Sequence, residues 1–228
     1  MGKRQSRPWI VSDELWSLIE PLLPKSPPKQ VEGRPRVPDR QALRGIPASN
    51  GEYLPQEKGS GSGMTCWRRL AAWNKAGVWE KLHQLLLNRL RSKNQLDWSR
   101  AVIDSSHVRA ARRGPKSGPS PVDRARPGSK HHIITDGQGI PLAVSLTGGN
   151  RNDITQLLPL LDKIPAVAGV VGRPRRRPDM LFADRGYDHD KYRRLLRQRG
   201  IRPAIAERGQ PHGTGLGTFR WVVERTIS

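Results

Sequence analysis

Residues 100–114 read Arg-Ala-Val-Ile-Asp-Ser-Ser-His-Val-Arg-Ala-Ala-Arg-Arg-Gly, and residues 180–184 read Met-Leu-Phe-Ala-Asp. Each stretch carries a short apolar run that ends on a carboxylate, Asp104 in the first and Asp184 in the second. An unbroken run of three or four apolar residues suits a strand covered on both faces, because a half-exposed strand alternates apolar and polar residues. The acid that follows stands where the strand leaves the core. Two buried strands, each delivering an aspartate, frame the reading of the whole chain.

The neighbouring segments fill in an order. His132 to Thr135, a turn at Asp136-Gly137-Gln138-Gly139, and Ile140 to Leu146 read as a hairpin. Asn152 to Ile164 has Ile154, Leu157, Leu158 and Leu161 at helical spacing, and Tyr187 to Gln198 predicts a helix stopped by Gly200. Ile201 to Ala206 reads as a strand, and Thr218 opens a last helix that carries Glu224. Between these lie two basic loops, 110–129 and 169–179. Strand, strand, strand, helix, strand, helix, strand, helix is the order of an α/β, RNase H-like mixed sheet with flanking helices. In that topology the strands ending on Asp104 and Asp184 are neighbours, and the last helix brings Glu224 across the same edge. Converging carboxylates suit Mg²⁺ or Mn²⁺, which take oxygen ligands. Two such ions would serve an in-line phosphodiester displacement. No Ser/His/Asp or Cys/His set competes: Ser105-Ser106-His107 is too compact for a triad. Glu207, just past a strand end, is the rival for the third acid.

The first ninety residues have a different texture. Helices are expected at 9–23, capped by Ser12; from Asp39 to a stop at Pro47; from Thr65 to Ala76; and from Val78 to Arg91. Residues 24–38 are a basic, proline-rich linker, and 47–63 hold almost nothing that could be buried. This gives a small all-α domain over 1–93, DNA-binding or accessory, ahead of a catalytic domain over 98–228. Trp67, Trp73 and Trp79 recur every six residues, which does not return to one helix face, so helical core is the better reading for most of them.

Charge points to the partner. The chain has 41 Lys+Arg against 20 Asp+Glu, a net +21 in 228 residues, and a pI near 11.4. Such an excess attracts polyanions, nucleic acid first. With mean hydropathy −0.68 and no 18-residue apolar run, a spanning helix is excluded. No signal peptide is visible at the start, and the single cysteine excludes an internal disulfide and a Cys-based zinc site. The expected compartment is the cytoplasm or nucleoid. Candidate DNA contacts are Arg34 and Arg36 in a GRPR arm; Arg112, Arg113, Lys116, Arg124, Arg126 and Lys130 in the loop after Asp104; and Arg173, Arg175 and Arg176 in the second basic loop. His131 and His132, adjacent on a strand, point to opposite faces and make a poor metal pair.

Four stretches, AVIDSSHVRAARRG, GSKHHIITDGQGIPLAVSLTGGNRND, DMLFADRGYDHDKYRRLLRQRGIRP and FRWVVERTIS, cover residues 101–228 with few breaks. They closely resemble DDE transposases of the insertion-sequence-five group, and SDELWSLIEPLLP, GRPRV and GMTCWRRLAAWNKAGVWEKL resemble the helical domain before that family's core. The resemblance implies metal-dependent DNA strand cleavage and strand transfer by a homo-oligomer assembled on DNA, with terminal inverted repeats and a target as partners. It implies that the metal-binding acids are Asp104, Asp184 and Glu224, and that Arg220, four residues before the glutamate, contacts a phosphate or helps place the carboxylate. Two departures are visible. PASNG (47–51) replaces an apolar helical run, and the family's glutamate helix continues beyond the position of Ser228. Both imply a truncated or degenerate copy whose Glu224 sits in a fraying last turn; the alternative function is a catalytically inactive DNA-binding remnant.

Overall fold

The computed structural model describes residues 11–25, 33, 35–48, 59–110, 114–209 and 217–227, with the backbone alone for 47–48, 217–220 and 227. It divides into two compact units, residues 1–86 and 87–228. The expected boundary lay at 93–98. The observed one falls inside a helix, because Leu87 and Leu90 belong to the core of the second unit.

In the first unit, α1 (Asp13–Ile19) starts at Ser12, whose side chain accepts a hydrogen bond from the Leu15 N–H. A 3₁₀ turn over Glu20–Leu22, with Pro21 in it, ends the element before the expected residue 23. α2 (Asp39–Ala48) runs one residue past Pro47 rather than stopping there. α3 (Gly63–Lys75) is capped by Ser62, and α4 (Val78–Ser92) follows Gly77, whose φ of +67° makes the tight turn. Val11, Ile19, Ala42, Leu43, Trp73 and Val78 form this unit's core. Trp73 is 1% exposed and packs edge-on against Trp79, with ring centroids 6.1 Å apart, whereas Trp67 is 63% exposed.

The second unit is a six-stranded mixed sheet. β1 (Ala101–Arg109) pairs antiparallel with β3 (Pro127–Asp136), which pairs antiparallel with β4 (Pro141–Gly148). On its other side β1 runs parallel to β5 (Met180–Ala183), and β5 parallel to β6 (Arg202–Ile205). The two-residue β2 (Gly118–Pro119) pairs with the first residues of β3. Leaving out β2, the order β4-β3-β1-β5-β6 is RNase H-like. β1 and β3 are longer than expected. Their register continues through Arg109–Gly128, beyond the apolar residues, held by backbone pairing that residue type does not advertise.

Side-chain alternation gives the sheet two buried faces. Ala101, Ile103, Ile134, Leu181 and Ala183 share a core with residues of α5 (Leu157–Lys163) and α6 (Asp190–Gln198). Val102, Ile133 and Phe182 pack instead against Val222 and Val223 of α7 (Gly217–Ile227). The last turn of α7 is tied down rather than frayed. Thr226 Oγ1 donates to the Gly139 carbonyl at 2.9 Å, and the Arg225 guanidinium donates to the Gln138 carbonyl at 3.2 Å.

The turn that receives α7 is built on Asp136, fully buried at the end of β3. Its carboxylate accepts from the backbone N–H groups of Asp97, Gln138 and Ile140 at 2.8–2.9 Å. Burial pushes its pKa up, opposed by those three donors. Asp136→Ala would leave three backbone donors of a part-buried turn without their acceptor, so we expect a loss of about 2–4 kcal/mol. Urea unfolding followed by amide exchange in β1 and β3 measures this, and an unchanged midpoint would refute it.

Candidate catalytic centre

Asp104 and Asp184 are set by the parallel register of β1 and β5. Ala101 pairs with Leu181 and Val102 with Phe182. Two steps further along both strands stand Asp104 and Asp184, so the aspartates occupy adjoining positions. Alternation puts Asp104 on the face of Val102, and its cross-strand partner Ile133 lies in the same cluster, against α7. Asp104 does not end its strand, as the apolar run implied; β1 continues five residues past it. Both aspartates are half-buried. Asp104 Oδ1 accepts from the Ser105 N–H at 2.8 Å, and Asp184 Oδ1 from the Gly186 N–H at 2.9 Å.

The residues after Asp184 build its seat. Asp184 caps a 3₁₀ turn, Arg185–Tyr187, and Tyr187 is buried. A Cβ on Gly186 would stand 3.0 Å from Asp184 Oδ1, a tight contact that would press on the carboxylate. Asp188 then clasps the turn to the end of β6. It accepts from the Arg208 backbone N–H and the Arg193 guanidinium, both at 2.8 Å, while Arg193 also donates to the Ile205 carbonyl and Arg208 to the Arg185 carbonyl. The Asp188–Arg193–Arg208 clasp is absent from the sequence-based candidates. Its signal was the second aspartate of the DRGYD stretch.

Glu224 sits on α7, whose Val222 and Val223 pack beside Val102 and Phe182, each two residues before an aspartate. At ~100° per residue, burying Val222 and Val223 turns Glu224 outward, and it is exposed. Among the described residues, no three His, Cys, Asp or Glu side chains converge closely enough to hold a metal ion. The fold thus brings Asp104 and Asp184 together and carries Glu224 to the same face without closing the triad. At the ~4.8 Å spacing of neighbouring strands, the two aspartates fit a shared hard cation by donor type. Glu207, the rival, is exposed two residues beyond β6.

The basic candidates separate by environment. Lys116, Arg124 and Arg126 are exposed beside the long β1–β3 arm, with Arg109 paired to Asp123 at 2.8 Å. Lys130 is a correction. It is 8% exposed, and its ammonium donates to the Arg151 carbonyl at 2.9 Å and to Asp153 at 3.0 Å, so it is structural rather than a phosphate contact. His132, fully buried in the same network, bonds Thr147 Oγ1 at 2.7 Å. Burial holds its pKa low, with Asp153 pulling the other way and Lys130 adding to the depression. His131 lies on the opposite face, as expected, and is exposed.

Arg173, Arg175 and Arg176 lie at the far end of the strands from the aspartates. Their loop leads into Asp179, whose N–H donates to the Trp98 carbonyl just before β1. A cleft of about 350 Å³ there is lined by Arg91 and Arg173–Arg177. Arg175 is pinned to Asp179 and stacks over Trp98, while Arg173 and Arg176 face solvent. Arg36 is exposed and paired with Asp39. Arg34, Arg112 and Arg113, and the side chain of Arg220, lie outside the described residues.

Comparison with known proteins shows the family. The "Transposase DDE domain" family matches residues 99–228, and the "Putative transposase of IS4/5 family" matches residues 11–83. The chain belongs to the DDE transposase family, a family of polynucleotidyl transferases and endonucleases. Among curated relatives, it is 63% identical over 112 residues to "Putative transposase for insertion sequence element IS402" of Burkholderia cepacia, covering 49% of this chain and 53% of that one. It is 50% identical over 119 residues to "Insertion element IS402 uncharacterized 16.2 kDa protein" of the same organism, covering 49% and 81%. The chain thus spans about half the length of the first relative. A cryo-EM structure of the simian T-cell lymphotropic virus intasome with PP2A regulatory subunit B56 gamma aligns over 58% of this chain and 38% of that one, at 18% identity and TM-score 0.37. No helix among the described residues is long and apolar enough to cross a membrane.

The Asp188 clasp has a pH signature. The Arg208 N–H first, then Arg193, hold its carboxylate below the usual range, while burial pulls the other way. A depressed pKa contributes stability that is present above the unfolded value, about 4, and is lost as pH falls through the folded value. Asp188→Asn should lower stability at pH 7 and flatten the acid limb of the stability curve below pH about 4. Parallel acid limbs for variant and parent would exclude this role.

Proposed function

We propose that this chain is the DNA-cleaving and strand-transferring part of an insertion-sequence transposase. The observation that carries this reading is the β1–β5 register, which sets Asp104 beside Asp184 on the α7 face. Asp104 and Asp184 would hold Mg²⁺ or Mn²⁺, in a two-ion site completed by Glu224, whose assignment rests on the ERT motif. Bound there, the ions would activate a water or 3′-hydroxyl and stabilise the leaving 3′-oxygen. The residues of the chain orient the reaction. The Ser105 and Gly186 N–H groups fix one oxygen of each aspartate, and the Asp188 clasp keeps the Asp184 turn in place.

The substrates would be duplex DNA at the element's terminal inverted repeats and at a target, bound by a homo-oligomer in the cytoplasm at the nucleoid. Lys116, Arg124 and Arg126 are the phosphate contacts nearest the aspartates, joined by Arg112, Arg113 and Arg220 on the strength of the motif. Arg34 and Arg36 would serve the first unit, and Arg173 and Arg176 DNA at the other end of the sheet, with Arg175 held by Asp179 and Trp98 instead. A second reading, a DNA-binding remnant without cleavage, is favoured by the outward Glu224 and the unclosed triad among the described residues.

Cleavage of duplex DNA by the chain in Mg²⁺ or Mn²⁺ separates the two. We expect Asp104→Ala to lower the rate by at least the ~100-fold that losing even an outer partner costs a metal site, with duplex binding nearly unchanged. Unaltered cleavage by the variant would remove Asp104 from the mechanism; tight binding without cleavage by the parent would establish the remnant. Replacing Arg173 and Arg176 by Ala should reduce the slope of log K against log salt by about 1.8. An unchanged slope would take that loop off the DNA.

A further inference from the structure

α3 buries one side and leaves the other open. Cys66 and Trp73 face inward, and Arg69 is tied to Asp39 at 2.8 Å and to the Val37 carbonyl. At ~100° per residue, the opposite arc holds Met64, Trp67, Arg68, Ala71, Asn74 and Lys75, all exposed. Trp67 is 63% and Met64 56% exposed, an unusual display of large apolar groups on one helix. α3 contains no acidic residue. Along one flank runs a cavity of about 500 Å³ with Lys25, Arg36, Arg68, Arg69 and Lys75 around an apolar floor of Pro24, Ala72, Trp73 and Ala76. Arg36 and Arg69 of this lining share Asp39 as an ion-pair partner.

We infer that α3 is the helix with which the first unit reads duplex DNA, its outer face entering the major groove and the basic flank holding the bordering phosphates. This rests on DNA being the substrate, as proposed above. Charge decides the occupant. A protein partner covering Trp67 and Met64 would also have to neutralise the cations on the flank, whereas a DNA backbone supplies that charge at every step. Size agrees, since a helix about 10–12 Å across with its side chains fits a groove about 12 Å wide. Its 13 residues span ~20 Å. Ala71 at the middle of the face allows close approach. The chemistry on either side of it suits base edges: Arg68 for guanine, Asn74 for adenine, and Trp67 and Met64 for thymine methyl groups. Trp67, Arg68 and Met64 lie in the N-terminal half, the part of a groove-bound helix that meets bases.

The test is selection from a pool of random-sequence duplexes by the full chain and by its Trp67→Ala, Arg68→Ala and Asn74→Ala variants. These side chains are exposed, so unchanged melting of the variants checks that they fold. The expected result is a sequence enriched by the parent chain, with each variant losing about 10-fold or more of the discrimination at particular positions. If all three variants enrich the same sequence as strongly as the parent, or if the parent binds the pool without enriching any sequence, α3 is not the reading helix and DNA remains the substrate. If the parent binds no duplex, this inference and the proposed function fall together.

Discussion

The centre of the second unit depends on one constraint, the burial of β1 on both faces between an antiparallel and a parallel neighbour. Ala101 and Ile103 point into the core with α5 and α6, and Val102 into the core with α7. A slip of one residue would exchange the two sets and drive Asp104 into the larger core, an unpaired carboxylate where Ile103 now sits. Hydrophobic packing therefore fixes which way the aspartate faces, more firmly than its own bond to the Ser105 N–H does. The same holds for β5, where Phe182 faces α7 and Leu181 and Ala183 face away.

Around that frame the charged residues divide into two populations. Asp136, Asp153 and Asp188 are consumed by turns and clasps, and so are Lys130, Arg91, Arg175 and Arg193. The net +21 thus overstates the cations that face solvent and measures the pull on a polyanion only loosely. What is left outside is arranged in separate places: beside the β1–β3 arm, at the amino ends of β5 and β6, and along α3. Basic groups therefore stand at both ends of the strands of the second unit.

The strand order, the two aspartates and the last helix were legible because buried strands and helices print their periods on the sequence. MLFAD shows both the strand and its carboxylate within five residues. The extension of β1 to Arg109 was not legible, since Ser-Ser-His-Val-Arg is held by backbone pairing to β3 and by little side-chain burial. Lys130 was misread for the opposite reason. Its neighbours are basic and glycine-rich, which looks like a solvated loop, but strand pairing turns its ammonium inward to Asp153. Trp67 shows the limit of composition, because nothing in the six-residue recurrence of tryptophans says which one faces outward.

The proposed site divides its acids between two kinds of support. Asp104 and Asp184 ride on paired strands whose register is locked by two cores. Glu224 rides on a helix, and its direction depends on the rotation of α7 about its own axis. That rotation is set by Val222 and Val223 against the sheet, and by Arg225 and Thr226 on the turn carbonyls of Gln138 and Gly139. A roll of one residue's worth, ~100°, separates Glu224 from the buried position of Val223. The strands can therefore present two carboxylates whatever α7 does, while closure of the triad depends on how α7 is seated. Seating, in turn, is governed by the apolar contact with Val102 and Phe182, so the core that fixes the first two acids also decides the third.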